Sequence, residues 1–277
     1  MIQDIAPHNL DNQFVPDTKP SDDSPVFCFR KNELLIRSDG EDFRLPTYSD
    51  FPDKPDVQYL LSLDGKGFFL YEPEVTEWGD YFYTDVRSLK QARLYPQHKV
   101  FTSMTAYQLA RWYRDNKYCG TCGHETVHGT RERSIKCPEC GRTIYPRIIP
   151  AVIVAVRNDD KLLVTKYAGR NSIPYYALVA GFTEIGETLE ETVAREVMEE
   201  TGLKVKNITY YKSQPWGVVD DILTGFYCDV DGDDTIVMDE GELAVAKWVQ
   251  REDLELQPDN FSLTGEMIRK FKEKRSS

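Results

Sequence analysis

Apolar and polar positions alternate with a different rhythm in successive stretches of the chain. Residues 1–25 are polar and acidic, with Asp17-Thr-Lys-Pro20 running directly into Ser21-Asp-Asp-Ser24, and a loose start is expected. From Val26 to about Tyr83, short apolar runs such as Glu33-Leu-Leu-Ile-Arg37, Tyr59-Leu-Leu-Ser62 and Phe68-Phe-Leu-Tyr71 are separated by turn signals such as Asp64-Gly65. That pattern predicts a small, mostly β domain. Leu109, Trp112 and Tyr113 are spaced for one face of a helix over Thr105–Tyr118. Beyond Tyr145-Pro146 the pattern predicts a strand pair, Ile148–Val156 and Lys161–Lys166, around Asn158-Asp-Asp. A short run at Tyr176–Val179 follows, then one strong helix, strands near Asn207–Tyr211, Ile222–Cys228 and Ala244–Val249, and a closing helix over Leu263–Lys272. Mixed strands with helices on either side predict an α/β sandwich for residues 147–277. The whole reads as a mixed α and β chain: an N-terminal domain over 1–112, a cysteine-bearing segment over 113–146, and the sandwich.

Length and charge narrow the classes of function. A chain of 277 residues holds one large domain or two to three modest ones. Acids outnumber bases 46 to 34, a net charge of −12, which argues against a broad nucleic-acid-coating surface but leaves room for a small site that handles phosphates through bound metal. Apolar runs such as Ala151–Val156 are far too short for a membrane span. Asp4 stands where a secretion signal wants Lys or Arg, so no such signal is read, and a reducing cytoplasm is the expected compartment.

Four of the six cysteines form two pairs, Cys119-Gly-Thr-Cys122 and Cys137-Pro-Glu-Cys140, with fourteen residues between them. Two Cys-x-x-Cys pairs at this spacing bring four thiolates to one tetrahedral ion, and Gly120, Gly123 and Gly141 supply tight turns. Zinc is the default occupant and iron the alternative. Sulfur fills all four positions, which leaves none open for water or substrate, so the site is structural; His124 and His128 are not needed. Cys28 and Cys228 stand alone in apolar, strand-like surroundings and read as buried small hydrophobes.

The strongest signal is Gly181-Phe-Thr-Glu-Ile-Gly-Glu187 followed by the run from Thr188 to Leu203. Thr188 and Glu191 form a capping-box pattern, so the helix should begin at Leu189, and Gly202 supplies a left-handed stop. At about 100° per residue, Val193, Ala194, Val197 and Met198 make one apolar arc, with Glu196, Glu199 and Glu200 on the arc beside it. Three carboxylates at i, i+3 and i+4 repel one another, and the helix C-terminus disfavours them further. A cation is needed, and hard divalent ions held by oxygen fit better than a merely solvated acidic face. Asp229-Val-Asp-Gly-Asp-Asp234 has its glycine misplaced for a calcium loop and predicts a hairpin turn at Asp231-Gly232.

This segment resembles the Nudix box without a gap, at Gly181, Glu187, Arg195, Glu196, Val197, Glu199, Glu200, Gly202 and Leu203. Nudix enzymes hydrolyse nucleoside diphosphates linked to another moiety, using Mg²⁺ or Mn²⁺ on this helix. The resemblance implies that Glu196 and Glu200 are metal ligands and Glu199 a ligand or base. It also implies that Ala180 offers its carbonyl, and that Glu187 and Arg195 pair to set the loop against the helix. A ribbon of four cysteines, a Nudix box and then Ser213-Gln-Pro-Trp216 together resemble the NADH pyrophosphatase (NAD⁺ diphosphatase) family. The likeness is specific over about residues 105–277 and rests on domain order alone before that.

That family cuts its dinucleotide between the phosphates to AMP and nicotinamide mononucleotide, acts also on NAD caps at RNA 5′ ends, and is typically homodimeric. By matched positions the resemblance implies substrate contacts at Tyr145, Phe182, Gln214, Trp216 and Thr264, and a distal metal-binding carboxylate at Glu242. One departure stands out. The family segment continues into Pro-Phe-Pro-x-Ser, whereas here Gly217-Val-Val-Asp-Asp221 follows, placing the carboxylate of Asp221 where a hydroxyl is usual. Rival readings are a Nudix pyrophosphatase preferring ADP-ribose or another ADP-linked substrate and, from a different class, an idle NAD-sensing or RNA-binding ribbon module.

Overall fold

A computed structural model describes residues 1–91, 95–169, 175–258 and 261–273. The chain divides into two units: an N-terminal unit of Asp4–Arg147 together with Trp216–Asp220, and a C-terminal unit of Met1–Gln3, Ile148–Pro215 and Asp221–Ser277. Among the described residues no helix is long and apolar enough to cross a membrane.

The N-terminal unit opens on strands β1 (Leu10–Asp11), β2 (Val26–Arg30), β3 (Glu33–Asp39), β4 (Asp42–Arg44), β5 (Gln58–Leu63), β6 (Lys66–Tyr71) and β7 (Phe82–Asp85). They form one sheet in the order β1-β5-β6-β2-β3-β4, with β7 also paired to β3. Val26, Cys28, Leu35, Phe51 and Tyr83 make one of its apolar clusters. Helices α1 (Val86–Gln91) and α2 (Gln97–Asp115) follow. Helix α2 starts eight residues before the Thr105 predicted from the apolar spacing, because Thr102 and Ser103 are as buried as Val100 and Met104 and hide the periodicity. The cysteine segment carries β8 (Val127–His128), β9 (Ile135–Lys136) and β10 (Thr143–Ile144), a small antiparallel sheet. Arg133 ties this segment to the larger sheet by donating to Asn12 O and Leu60 O at 2.9 and 2.8 Å.

The C-terminal unit is built on β11 (Ile149–Asn158), whose residues Ala151–Val156 are all buried. A continuous apolar run is what a strand covered on both faces requires. Val152, Val154 and Val156 pack with Val193, Val197 and Leu203, whereas Ile153 and Ala155 pack with Leu263, Met267, Ile268 and Phe271. Apart from Leu203, just past the end of the first helix, the two sets belong to α3 (Leu189–Thr201) and α4 (Leu263–Glu273), one on each face. Around β11 lie β12 (Lys161–Tyr167), β13 (Val179–Phe182), β14 (Val205–Trp216), β15 (Asp221–Val230) and β16 (Leu243–Gln250), in the order β14-β15-β11-β12-β16 with β13 also on β11. This is the α/β/α sandwich expected, with β15 parallel to β11 and β12 and β13 antiparallel.

Three sequence readings are corrected. The start of the chain is not loose: Ile2 is fully buried and its N–H donates to Phe261 O at 3.1 Å, while β1 pairs with β5. Asp231-Gly232 is not a hairpin turn, since the next strand after β15 is β16, thirteen residues on, and it pairs with β12. The local Asp-Gly signal is outweighed by Lys206 and Lys204 O, which hold Asp231 beside β14. The third concerns the buried face of α3 and is taken up with the site. Cys28 and Cys228 are fully buried in strands, and burial pushes both thiols up to about 12.

Candidate active site

Helix α3 begins and ends where its sequence places the signals. Thr188 Oγ1 accepts from Glu191 N–H at 3.2 Å and the Glu191 carboxylate accepts from Thr188 N–H at 2.8 Å. Gly202 closes it at φ 69°, donating to Met198 O. The face it buries differs from the predicted arc. Ala194 and Met198 are exposed, and Thr192, Val193, Glu196, Val197, Glu200 and Thr201 are buried. Two glutamates are therefore inside the packed stripe rather than beside it, with Glu196 at 9% and Glu200 at 1% exposure.

Arg195 is the first part of the answer to that charge. All five of its N–H groups are engaged. Nε and Nη2 grip Glu187 at 2.6 and 2.9 Å, Nη1 donates to Glu196 and Glu199 at 2.8 and 2.9 Å, and Nη2 also donates to Phe182 O at 2.9 Å. This fork holds the Glu187 carboxyl down to about 2. It thereby locks the loop before the helix onto the helix. Gly181 lies so close that a Cβ built on it would sit 2.0 Å from the Glu196 carboxyl carbon. Gly181→Ala is accordingly expected to displace the Glu196 carboxylate and to lower turnover about tenfold to a hundredfold, as misplacement by an ångström does. Normal circular dichroism with unchanged kcat in that variant would overturn this steric reading.

Glu200 lies beyond the reach of the fork. Among the described residues its Oε2 is buried without a hydrogen-bond partner. Burial, with Glu196 and Glu242 as like-charged neighbours, pushes its carboxyl up to about 8, against the Ala180 N–H, which favours the ionised form. Glu242, though exposed and far along the chain, thus belongs electrostatically to the same cluster. It is brought there by a loop that latches onto the end of α3: Val237 N–H donates to Thr201 O at 2.9 Å and Asp239 N–H to Glu200 O at 3.0 Å. Asp239 adds its own charge to the cluster and was not singled out from sequence, where only the acidic run around it hints at a role. A buried, unpartnered carboxylate oxygen among like charges is what a hard divalent cation would relieve, so the residues present fit one. These carboxylates are a looser group than the cysteines, which alone among the described residues bring every ligand atom within 4.8 Å.

Those four cysteines pair as Cys119 Sγ with Cys140 Sγ at 3.6 Å and Cys122 Sγ with Cys137 Sγ at 3.4 Å. The S···S edge of a tetrahedral Zn–thiolate site is about 3.8 Å. Backbone N–H groups of Thr121 and Cys122 hold the Cys119 thiol down to about 6, whereas Cys122 is pushed up to about 12, so the four crowded thiols do not all favour the thiolate while no cation is bound.

The residues matched to substrate contacts are distributed unevenly. Phe182, on β13, is 52% exposed and offers its ring to solvent. Tyr145 is exposed in the N-terminal unit and donates to Glu132 at 2.8 Å. Trp216 lies in that same unit with Lys90 Nζ 4.6 Å from its ring centroid. Thr264 sits partly buried in the first turn of α4. Gln214 is fully buried: its amide donates to Phe261 O at 2.7 Å and Gln3, and accepts from Leu263 N–H at 2.8 Å. Asp221 is buried at the first position of β15, its backbone in register with Ile149, and shows little of its carboxylate to a ligand.

Residues 147–271 match the sequence profile of the NUDIX domain. Over those residues the C-terminal sandwich is similar to NUDIX domains. The chain is 47% identical over 162 residues to the NAD-capped RNA hydrolase NudC of Shigella flexneri, a match covering 58% of this chain and 62% of that protein. The NudC protein of Escherichia coli O9:H4 (strain HS) matches with the same figures, so the chain spans about 62% of the length of these relatives. A NUDIX hydrolase crystal structure from Nitrosomonas europaea aligns with a TM-score of 0.49 and 22% identity, covering 57% of this chain and 92% of its own.

Proposed function

We propose that this chain hydrolyses the pyrophosphate bond of NADH and NAD⁺ to AMP and nicotinamide mononucleotide, and removes NAD caps from RNA 5′ ends by the same cut. The observation that carries the proposal is the buried pair Glu196 and Glu200 on a NUDIX box helix, with Glu200 left uncompensated by Arg195. The substrate class follows from the relatives named as NAD-capped RNA hydrolases and from Ser213-Gln-Pro-Trp216.

Glu196, Glu200, Glu242 and the Ala180 carbonyl would hold Mg²⁺ or Mn²⁺. Such an ion would supply positive charge to the pyrophosphate and Lewis acidity to the site. Glu199, exposed at the helix surface and held by Arg195, would act as the general base toward an attacking water. Arg195 keeps Glu196 oriented and cannot itself serve as a base. Phe182, Tyr145 and Trp216 supply rings for the bases. Gln214 supports Thr264 at one remove, by fixing the N–H of Leu263 at the start of α4. The four cysteines would hold a structural zinc. The active protein is read as a cytoplasmic homodimer.

The deciding assay offers NADH, NAD⁺, NAD-capped RNA and ADP-ribose with Mg²⁺ or Mn²⁺, with products separated by chromatography. AMP and nicotinamide mononucleotide from NADH are expected. Far better cleavage of ADP-ribose, which the Gly217–Asp221 departure makes the nearest rival, would overturn the dinucleotide preference and leave the hydrolase class standing. Trp216→Ala should lower kcat/KM for NADH about tenfold to a hundredfold, the worth of one stacked base. If Trp216 only packs, its loss will instead lower Tm and depress all substrates equally.

A further inference from the structure

Trp216–Asp220 belongs to the N-terminal unit although the residues on both sides of it belong to the C-terminal unit. A single face of α2 seats this turn. Met104, Gln108 and Arg111 follow at i, i+4 and i+7 and share that face. A Cβ built on Gly217 would fall 2.5 Å from Met104 O and 3.4 Å from Gln108 Cβ, so the turn backbone lies directly on the helix. Arg111 then grips it at three points: Nη1 donates to Val218 O at 3.1 Å, and Nη2 to Gly217 O at 3.5 Å and to the Asp220 carboxylate. Asp220, at φ 66° a non-glycine residue in the left-handed region, ends the turn. Its second oxygen accepts from Arg147 Nη2 at 3.1 Å, and Gln108 Nε2 donates to Arg147 O at 3.2 Å. The Arg111 and Asp220 side chains are only 18% and 10% exposed.

We propose that Arg111 is a positioning residue for substrate specificity: from α2 it fixes the Gly217–Asp220 turn and so presents Trp216, the residue just before it, to a base of the dinucleotide. The inference deepens the proposed function and rests on its reading of Trp216 as a stacking residue. A planar guanidinium addresses a carboxylate and two carbonyls at once, whereas an ammonium cannot reproduce the fork. Loss of Arg111 frees the turn without altering the metal-binding carboxylates. Substrate binding should therefore suffer more than chemistry, with KM rising while kcat holds.

The test compares Arg111→Met, Arg111→Lys, Trp216→Ala and the Arg111→Met/Trp216→Ala double variant. For NADH, Arg111→Met should raise KM about tenfold with little change in kcat, and Arg111→Lys should fall between it and wild type. The double variant should be no worse than Trp216→Ala alone, because both losses act through one ring. Amide hydrogen exchange should quicken over residues 217–220 and stay unchanged over α3. Additive losses in the double variant, or unaltered exchange over 217–220, would overturn the proposal. If Arg111→Met lowers the stability of α2 as a whole, Arg111→Lys, which keeps the charge beside Asp220, carries the same two readouts. Should the wild type prefer ADP-ribose, the NADH reading fails, while exchange over 217–220 and the same cycle run on ADP-ribose still decide the role of Arg111.

Discussion

Glu200→Gln is expected to leave the fold intact and to lower turnover of NADH about a hundredfold or more at saturating Mg²⁺, the cost of losing a metal-centred carboxylate. That factor corresponds to about 2.7 kcal/mol of transition-state stabilisation. Stability of the metal-free protein should move the other way. The Glu200 carboxyl stands near 8 in the folded chain against an ordinary value of 4.5, so the folded state holds its proton longer than the unfolded chain does. The metal-free wild type therefore loses stability as pH rises from about 4.5 through 8, and below that window the group costs nothing. Glutamine cannot ionise and removes this slope. In chelator-treated samples Tm of the variant should exceed that of wild type at pH 8 and converge with it near pH 4.5, by about 2–4 °C for each kcal/mol relieved. Near-wild-type turnover in the folded variant refutes the ligand role, and an unchanged Tm difference across this pH range refutes the account of the buried charge.

Cys137→Ser is expected to abolish stoichiometric zinc binding and most of the soluble yield together. Apparent binding energies for structural zinc in small domains are about 10–16 kcal/mol at neutral pH, more than most domains hold in net stability. Cys137 is fully buried, and its knuckle is closed by Gly141 N–H donating to Cys137 O and Cys137 N–H to Arg142 O. With one thiolate gone, the short strands β8, β9 and β10 have little apolar surface to hold them, since among them only Ile135 is buried. Elemental analysis of wild type should give one zinc per chain. Native, folded protein containing neither zinc nor iron would sink this assignment, and a soluble Cys137→Ser protein with full zinc would do so equally.

The ends of α3, the two cysteine pairs and the doubly covered strand β11 were legible in the sequence because each signal acts over a few residues. A threonine and a glutamate three apart cap a helix wherever they stand, a glycine takes the left-handed stop, and Cys-x-x-Cys knuckles close on themselves. Six consecutive apolar residues from Ala151 to Val156 likewise announce burial on both faces. What packs against these elements comes from far along the chain, and there local pattern lost its hold. The apolar arc pointed to Ala194 and Met198, yet β11, β13 and the 237–242 loop cover the arc of Glu196 and Glu200 instead, because a cluster of carboxylates facing Gly181 is tolerated where hydrophobic packing alone would exclude it. Gln214 was read as a group open to a ligand, and only the placement of Phe261 and Leu263 around it shows its amide spent inside the fold. Glu242 joined the cluster through a latch on the helix C-terminus, and Trp216 joined the N-terminal unit through α2, contacts more than thirty-five and more than a hundred residues apart in sequence. Local hydrogen bonding and periodicity are properties of a segment. Which polar group ends up desolvated beside another is a property of the packed whole, and only the tertiary structure decided it.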